Sequence, residues 1–146
     1  MPQIAALVPM RHHSQRVPGK NYRLLAGRPL FHYIIETLLS VPQIGRVVVD
    51  TDSAPVMESL LKNFPQVKII SRPENLRADG IAMNEILKHD TAQVEADLYL
   101  QTHSTNPLLR TETVSRAILT FHANTAQKLT PRNVLLGDKH LSGLHK

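Results

Sequence analysis

Residues 4–30, IAALVPMRHHSQRVPGKNYRLLAGRPL, are the stretch of sequence that decides the fold. They begin with a short apolar run, 4–9, which stops at a basic loop, as is typical of a buried parallel strand that ends in a turn. Apolar residues with helical spacing start again at Pro29, and proline suits the first position of a helix. The chain therefore opens with a strand, a long loop and a helix.

The same order of strand and helix repeats along the rest of the chain. Further strands are predicted at 46–50, 67–71 and 96–101, and helices at 29–39, 54–63, 80–89 and 111–122. Ser53, Asp79 and Thr111 stand at the starts of the last three helices and are typical N-cap residues. This alternation predicts an α/β domain, Rossmann-like and doubly wound, with a largely parallel sheet.

The predicted topology also places a binding site. In the Rossmann-like strand order the first and fourth strands are neighbours, and ligands bind beyond the carboxyl ends of the strands at this point. We therefore expect the site between the loop after Pro9 and the loop after Leu100. The end of the chain offers only 134–136 as a possible strand, which divides the chain into an α/β domain, 1–125, and a basic tail of unknown role, 126–146.

The composition excludes several classes of protein. The chain has 146 residues, 42% of them hydrophobic, and no cysteine, which fits one soluble domain and excludes a disulfide-stapled miniprotein, a thiol nucleophile or an iron–sulfur site. The apolar run at the N-terminus is too short for a signal peptide or a membrane span. We expect a cytoplasmic protein that does not associate with membranes.

The charge is concentrated near the N-terminus. Five of the 17 Lys and Arg residues lie in residues 1–35, which contain no Asp or Glu, so the other twelve balance the 12 acids and the net charge of +5 belongs to this segment. Such a cluster can bind a polyanionic ligand or a nucleic acid. Because the chain has only three Phe and three Tyr and no nucleic-acid motif, we expect no nucleic-acid partner.

The first loop offers the groups that a phosphate chain needs. Arg11, Arg16 and Lys20 supply positive charge, and Gly19 allows close approach of the backbone. The loop lacks the spacing of a Walker loop and of a dinucleotide-binding fingerprint. We favour phosphate binding over a merely solvated basic loop, because no carboxylate stands nearby in the sequence.

The motifs of this loop resemble the opening motif of the sugar-acid cytidylyltransferases. The matching residues are VPMR at 8–11, Ser14, RVPGKN at 16–21 and RLLAGRPL at 23–30. Lys20-Asn21 and the LAG at 25–27 are typical of the acylneuraminate (CMP-sialic acid synthetase) branch. VVVDTDS at 47–53, RPENLRAD at 72–79 and LYLQTHSTNPLLR at 98–110 follow in the family's order, so the resemblance covers about the first 125 residues.

The resemblance implies an enzyme that transfers CMP from CTP to a 2-keto sugar acid with release of pyrophosphate, assisted by Mg²⁺. It implies that Arg11 and Lys20 are the catalytic residues, which hold the triphosphate and stabilise its developing charge. The positions that the resemblance assigns to nucleotide binding are Arg11, Ser14, Arg16, Lys20, Asn21, Arg72 and Asn84. It assigns sugar-acid binding to Gln101.

The assignments of Arg72, Asn84 and Gln101 have alternatives or depart from the pattern of the family. Arg72 either lies near the ribose or base or pairs with Glu74. Where the family has a serine that helps to read cytosine, this chain offers the amide of Asn84. The loop after Gln101 is two residues longer than is usual in the family, which predicts a reshaped sugar pocket.

The aspartates and histidines around the predicted site have simpler interpretations than metal binding. Asp50 and Asp52 stand at a strand end, where aspartates usually cap the next helix or anchor loops. His12 and His13 are adjacent in an extended loop and have no evident third ligand, so we interpret them as surface residues near an anion.

The family's members are considerably longer, and their magnesium-binding aspartates and dimerisation segment lie beyond the matched part. The fold is thus predicted to be truncated relative to the family, by a natural truncation or frameshift, as a minimal homologue, or as a fragment. We identify no metal ligand in the chain and predict a homo-oligomer, a dimer or higher, because a half-sheet exposes apolar surface. The alternative functions are a cytidylyltransferase for Kdo, legionaminate or pseudaminate, and a catalytically inactive nucleotide-binding remnant or partner subunit.

Overall fold

A computed structural model of the chain describes residues 2–125 and 133–136. The strands, in chain order, are β1 (Ile4–Met10), β2 (Leu24–Leu25), β3 (Arg28–Pro29), β4 (Ile44–Thr51), β5 (Lys68–Ser71), β6 (Leu98–Gln101) and β7 (Asn133–Leu136). The helices are α1 (Leu30–Leu39), α2 (Ala54–Asn63), α3 (Met83–Gln93) and α4 (Thr111–Thr125). The predicted alternation of strands and helices is confirmed over the α/β domain.

The main sheet has the order β5-β4-β1-β6-β7, and each neighbouring pair is parallel. The first strand of the chain therefore lies between β4 and β6, as the Rossmann-like order predicts. β7 extends the same sheet from within the segment that we predicted to be a tail. The other predicted features of 126–146 lie outside the described residues.

Strand β1 divides the hydrophobic core into two parts because its side chains alternate between the faces of the sheet. Ala6 and Val8 belong to the larger cluster, which α1, α2 and α4 cover with residues such as Ile35 and Ile118. Leu7 belongs to the smaller cluster, where α3 packs against the opposite face. Both faces of β1 are thus buried, which explains why its sequence is a continuous apolar run.

His32 joins two helices of the larger core face. Its Nε2 lies 2.8 Å from the Ser59 Oγ, and its ring makes edge contacts with Phe31 and Phe64. Burial lowers the pKa of His32, and the charge of Arg28 lowers it further. The imidazole is therefore neutral at pH 7 and bridges α1 and α2 as a structural residue.

The predicted start of α3 is wrong. The sequence suggested a helix from Gly80 with Asp79 as its N-cap, whereas α3 begins at Met83 and Ala82 occupies the cap position without a side-chain hydrogen bond. Asp79 accepts hydrogen bonds from Arg11 and Gln15 instead. A partner distant in the sequence has displaced the local capping interaction.

The basic loop after β1 turns through a short 3₁₀ helix, Lys20–Tyr22, which follows Gly19. Gly19 has a φ of 65°, in the left-handed region, and its carbonyl oxygen accepts the backbone N–H of Tyr22 and of Arg23. A Cβ at this glycine would lie 2.9 Å from the Tyr22 ring. Both the conformation and the space at this turn therefore require glycine.

Gly19→Ala is expected to lower the free energy of unfolding by about 1–2 kcal/mol, because an L-residue is strained in the left-handed region. The added methyl group also crowds the Tyr22 ring. Urea denaturation of the two proteins measures the change. Gly80→Ala is the matched control, since a Cβ there meets nothing within 4 Å, and equal effects of the two substitutions would contradict the prediction.

Candidate functional site

A cavity of about 420 Å³ opens at the carboxyl edge of the sheet. Three loops form most of its wall, those after β1, β5 and β6, and the start of α3 completes it. The lining residues are Pro9, Arg11, His13, Ser14, Gln15, Arg16, Lys20, Asn21, Arg72, Ala78, Asp79, Ile81, Met83, Ile86, His103, Ser104 and Thr105. The cavity thus lies where the sequence predicts the binding site, between the loops after β1 and β6, and the loop after β5 also contributes to its wall.

The loop after β1 brings three cationic side chains to this cavity. Arg11 forms an ion pair with Asp79 at 2.8 Å, and both side chains are well exposed, at 40% and 57%. Among the described residues, the side chains of Arg16 and Lys20 have no ion-pair partner. Because an exposed ion pair contributes little stability, an anionic ligand can replace Asp79 as the partner of Arg11 with little loss of stability.

Asn21 connects the loops on the two sides of the cavity. Its Nδ2 donates to the Arg11 carbonyl oxygen at 2.9 Å, and its Oδ1 accepts the hydroxyl of Ser104. The side chain is buried, so both ends of its amide are satisfied by the protein. Asn21 therefore links the two loops by hydrogen bonds and fixes the Arg11 backbone relative to the loop after β6.

The other end of the basic loop is fixed to the end of β4. The His12 backbone N–H donates to the Asp52 carboxylate at 2.7 Å, and its Nδ1 lies 2.9 Å from the Ser53 Oγ. The His12 ring also stacks on Tyr22, with centroids 5.6 Å apart. Asp52 therefore anchors a loop, as predicted, while His12 is a structural residue rather than a free surface group.

Arg72 follows β5 and is only 1% exposed, although it lines the cavity. Its Nε donates to the Asp50 carboxylate at the end of β4, and the Asp50 side chain is completely buried. The alternative pairing with Glu74 is therefore wrong. A buried guanidinium needs a buried carboxylate, and Glu74 is exposed.

Two residues of α3, His89 and Asp90, lie beside this ion pair. The His89 Nδ1 is 3.3 Å from the Asp90 Oδ1 and 4.0 Å from the Asp50 Oδ2. Burial raises the pKa of Asp90 to about 8, and the charge and hydrogen bonding of Asp50 contribute in the same direction. Arg72 opposes this rise. Burial and the neighbouring Asp50 carboxylate therefore both favour the protonated form of Asp90.

The cavity contains most of the residues assigned from the sequence, but not all. Asn84 lies exposed on α3, outside the lining, and the buried Gln101 Nε2 lies 3.4 Å from the Thr102 carbonyl oxygen. Sequence reasoning missed Gln15 and His103, which do line the cavity. His103 lies in the longer loop after β6, and that insertion was the available signal.

The described residues do not fit a magnesium ion. Asp79 is the single carboxylate among the residues that line the cavity, and its two oxygens accept hydrogen bonds from Arg11 and Gln15. Potential ligand atoms of Asp50, His89 and Asp90 lie within 4.8 Å of one another, but the Arg72 guanidinium already supplies the positive charge there. Neither group offers a hard cation a free set of oxygens.

A family model described as Cytidylyltransferase matches residues 5–140. The chain belongs to the cytidylyltransferase family. The match includes all three cavity loops and the strands that carry them. The resemblance seen in the sequence motifs is thereby confirmed at the level of the family.

Several cytidylyltransferases are similar to this chain. A CMP-N,N'-diacetyllegionaminic acid synthase of Legionella pneumophila is 31% identical over 80% of this chain and 52% of its own length. An N-acylneuraminate cytidylyltransferase of Escherichia coli is 33% identical over 60% and 20%, and a 3-deoxy-manno-octulosonate cytidylyltransferase of Trichlorobacter lovleyi is 25% identical over 87% and 48%. The chain spans about half the length of the legionaminic acid synthase and of the 3-deoxy-manno-octulosonate cytidylyltransferase, and a fifth of the length of the N-acylneuraminate cytidylyltransferase.

The fold likewise matches solved cytidylyltransferase structures. A CMP:2-keto-3-deoxy-manno-octonic acid synthetase in complex with CTP superposes with a TM-score of 0.73 at 25% identity, over 85% of this chain and 49% of that one. The Rossmann-like α/β class is thus shown. No helix in the described part of the chain is long and apolar enough to cross a membrane.

Asp90→Asn is expected to raise the free energy of unfolding at neutral pH and to flatten its pH dependence. The pKa of Asp90 rises from 3.8 to about 8 on folding, so the folded protein holds a proton that the unfolded chain releases. Stability therefore falls as the pH rises from the unfolded pKa through the folded one. An asparagine cannot ionise and removes this loss.

Thermal unfolding of both proteins across this pH range measures the effect. Glu85→Gln is the matched control, because Glu85 is an exposed acid on the same helix. Parallel stability profiles for Asp90→Asn and the unaltered protein would contradict a raised pKa.

Proposed function

We propose that this cytidylyltransferase binds CTP in the cavity and transfers CMP to a sugar acid of the acylneuraminate type, with release of pyrophosphate. The observation that carries the proposal is the convergence of Arg11, Arg16, Lys20 and Arg72 on one cavity. Four cations beside a single exposed carboxylate suit a triphosphate better than they suit a neutral ligand.

The order of the strands suggests how CTP lies in the cavity. The phosphates are proposed to lie at the loop after β1, where Arg11, Arg16 and Lys20 are clustered. Arg72 follows β5, which is separated from β1 by β4, so the strand ends lie about 10 Å apart, two interstrand spacings. Arg72 then faces the nucleoside part of the ligand rather than its phosphates.

The reaction is a displacement at the α-phosphorus. The anomeric hydroxyl oxygen of the sugar acid forms the new bond to phosphorus, the bond to the bridging oxygen of the pyrophosphate breaks, and the hydroxyl proton passes to solvent. Arg11 and Lys20 are proposed to stabilise the charge that develops on the α-phosphate and the leaving pyrophosphate. Asn21 supports this step by fixing the Arg11 backbone.

The identity of the sugar acid is proposed from the comparison with relatives. The relatives named for legionaminic acid and acylneuraminate are 31% and 33% identical to the chain, above the 25% of the relative named for 3-deoxy-manno-octulosonate. We therefore favour an acylated amino sugar acid, with Kdo as the competing substrate. The longer loop after β6, which lines the cavity with His103, Ser104 and Thr105, is the part of the chain proposed to contact it, whereas Gln101 is buried outside the lining and its role stays a prediction.

A second candidate function is a nucleotide-binding remnant without transferase activity, or a partner subunit of another protein. The observation that favours it is the lack of a magnesium ligand set among the described residues. The requirement for Mg²⁺, the roles of Ser14 and Asn84, and the homo-oligomer stay predictions.

The melting temperature, measured in titrations with CTP, ATP and GTP in the presence of Mg²⁺, is expected to rise selectively with CTP. Lys20→Ala is expected to weaken CTP binding about tenfold or more, because it removes a charge from the phosphate site. Lys62→Ala is the matched control, since it removes the same charge from an exposed position on α2.

A pyrophosphate-release assay with N-acetylneuraminate and Kdo then separates the functions. Release with the acylated amino sugar acid supports the transferase, whereas selective CTP binding without release supports the second candidate. Binding of no nucleotide, or equal effects of Lys20→Ala and Lys62→Ala, would overturn both.

A further inference from the structure

Arg72 is a buried cation whose hydrogen bonds are only partly satisfied by the protein. Its Nε donates to the Asp50 carboxylate, and its Nη2 lies 3.5 Å from the Asp50 carbonyl oxygen. The Nη1 atom is buried and has no acceptor among the described residues. A buried donor without an acceptor destabilises a folded protein, so its persistence in a cavity wall points to a ligand.

We propose that Asp50 is a positioning residue of the nucleotide site, which holds the Arg72 guanidinium in the cavity wall so that Nη1 donates to an acceptor on the nucleoside part of CTP. Asp90 is the second positioning residue, because its carboxyl group donates its proton to Asp50. The inference rests on the proposed function and adds two residues that do not line the cavity themselves.

The backbone around Asp50 makes it a rigid support. Asp50 pairs with Pro9 of β1 on one side and with Ile70 of β5 on the other, so β4 is held in the sheet from both directions. The Arg72 backbone N–H donates to the Thr51 carbonyl oxygen at 3.0 Å. Both ends of the ion pair are therefore fixed, and the guanidinium is oriented before a ligand binds.

The Asp50 carboxylate has a second unsatisfied atom, which explains the role of Asp90. Asp50 Oδ2 is buried and has no hydrogen-bond partner among the described residues. Asp90 is 1% exposed, and its carboxyl group faces Asp50 from α3. A proton on Asp90 turns this contact between two carboxyl groups from repulsion into a hydrogen bond.

The groups that face Asp90 come from three elements. Asp50 faces it from β4, Arg72 from the loop after β5, and His89 from its own helix. Ionisation of Asp90 at alkaline pH places a second negative charge beside the Asp50–Arg72 pair. The orientation of Arg72, and with it the affinity for CTP, is then expected to weaken.

The experiment measures the Kd of CTP and of inorganic tripolyphosphate by calorimetry on the full chain. Asp50→Asn is expected to raise the Kd of CTP about tenfold, as the loss of a charge-assisted hydrogen bond predicts. The Kd of tripolyphosphate is expected to change less than about twofold, because Arg72 lies away from the phosphate loop. Glu74→Gln, an exposed acid near Arg72 in the sequence, is the matched control and should change neither constant.

A double substitution separates positioning from general damage. In an Arg72→Gln background, Asp50→Asn is expected to have no further effect on CTP binding, because the residue through which it acts is gone. An undiminished loss in that background would overturn the positioning role. So would a folded Asp50→Asn protein that binds CTP as the unaltered chain does.

Asp90→Asn keeps the inference testable if Asp50→Asn fails to fold. The ratio of the CTP Kd to the tripolyphosphate Kd is expected to rise more steeply between about pH 7 and about pH 9 in the unaltered chain than in Asp90→Asn, since the titration of the two ligands themselves affects both proteins alike. Equal pH dependence in the two proteins would overturn the role of Asp90 and Asp50 together. Absence of CTP binding by the unaltered chain would overturn the proposed function itself, and this inference with it.

Discussion

Strand β1 is hydrogen-bonded to β4 on one side and to β6 on the other, and this arrangement determines where each group of the site lies. Parallel strands end at the same edge of a sheet, so the three loops that follow β1, β5 and β6 meet there. The apolar side chains of β1 hold it in place from both faces. The cavity is therefore a consequence of burying this strand.

Two ion pairs at this edge differ in the cost of breaking them. Arg11 and Asp79 are exposed to solvent, and such a pair contributes little, so Arg11 is available to a phosphate. Arg72 and Asp50 are buried, and the removal of either partner leaves a charge without compensation. The cavity thus combines a cation in an exposed, easily exchanged ion pair with one held in a buried ion pair, and the proposed binding of CTP would use both.

The sequence predictions were accurate where local interactions determine the structure and failed where the partners are far apart in the sequence. The strands of the main sheet and the helices α1, α2 and α4 were predicted within a few residues, because apolar periodicity defines them, whereas the short strands β2 and β3 were not predicted. The start of α3 was not, because Asp79 bonds to Arg11, 68 residues away in the sequence. Arg72 was undecided for a similar reason, since its partner Asp50 is 22 residues away on another strand.

The sequence by itself determined the order of strands and helices, the location of the positive charge and the family, because these depend on local patterns and short motifs. Only the tertiary structure decided that Asn21 accepts a hydrogen bond from Ser104, 83 residues away, and that Asp90 lies beside Asp50. Such contacts depend on which loops meet at the end of a sheet. Side-chain periodicity carries no information about them, because it reports which face of an element is buried and not which partner lies across it.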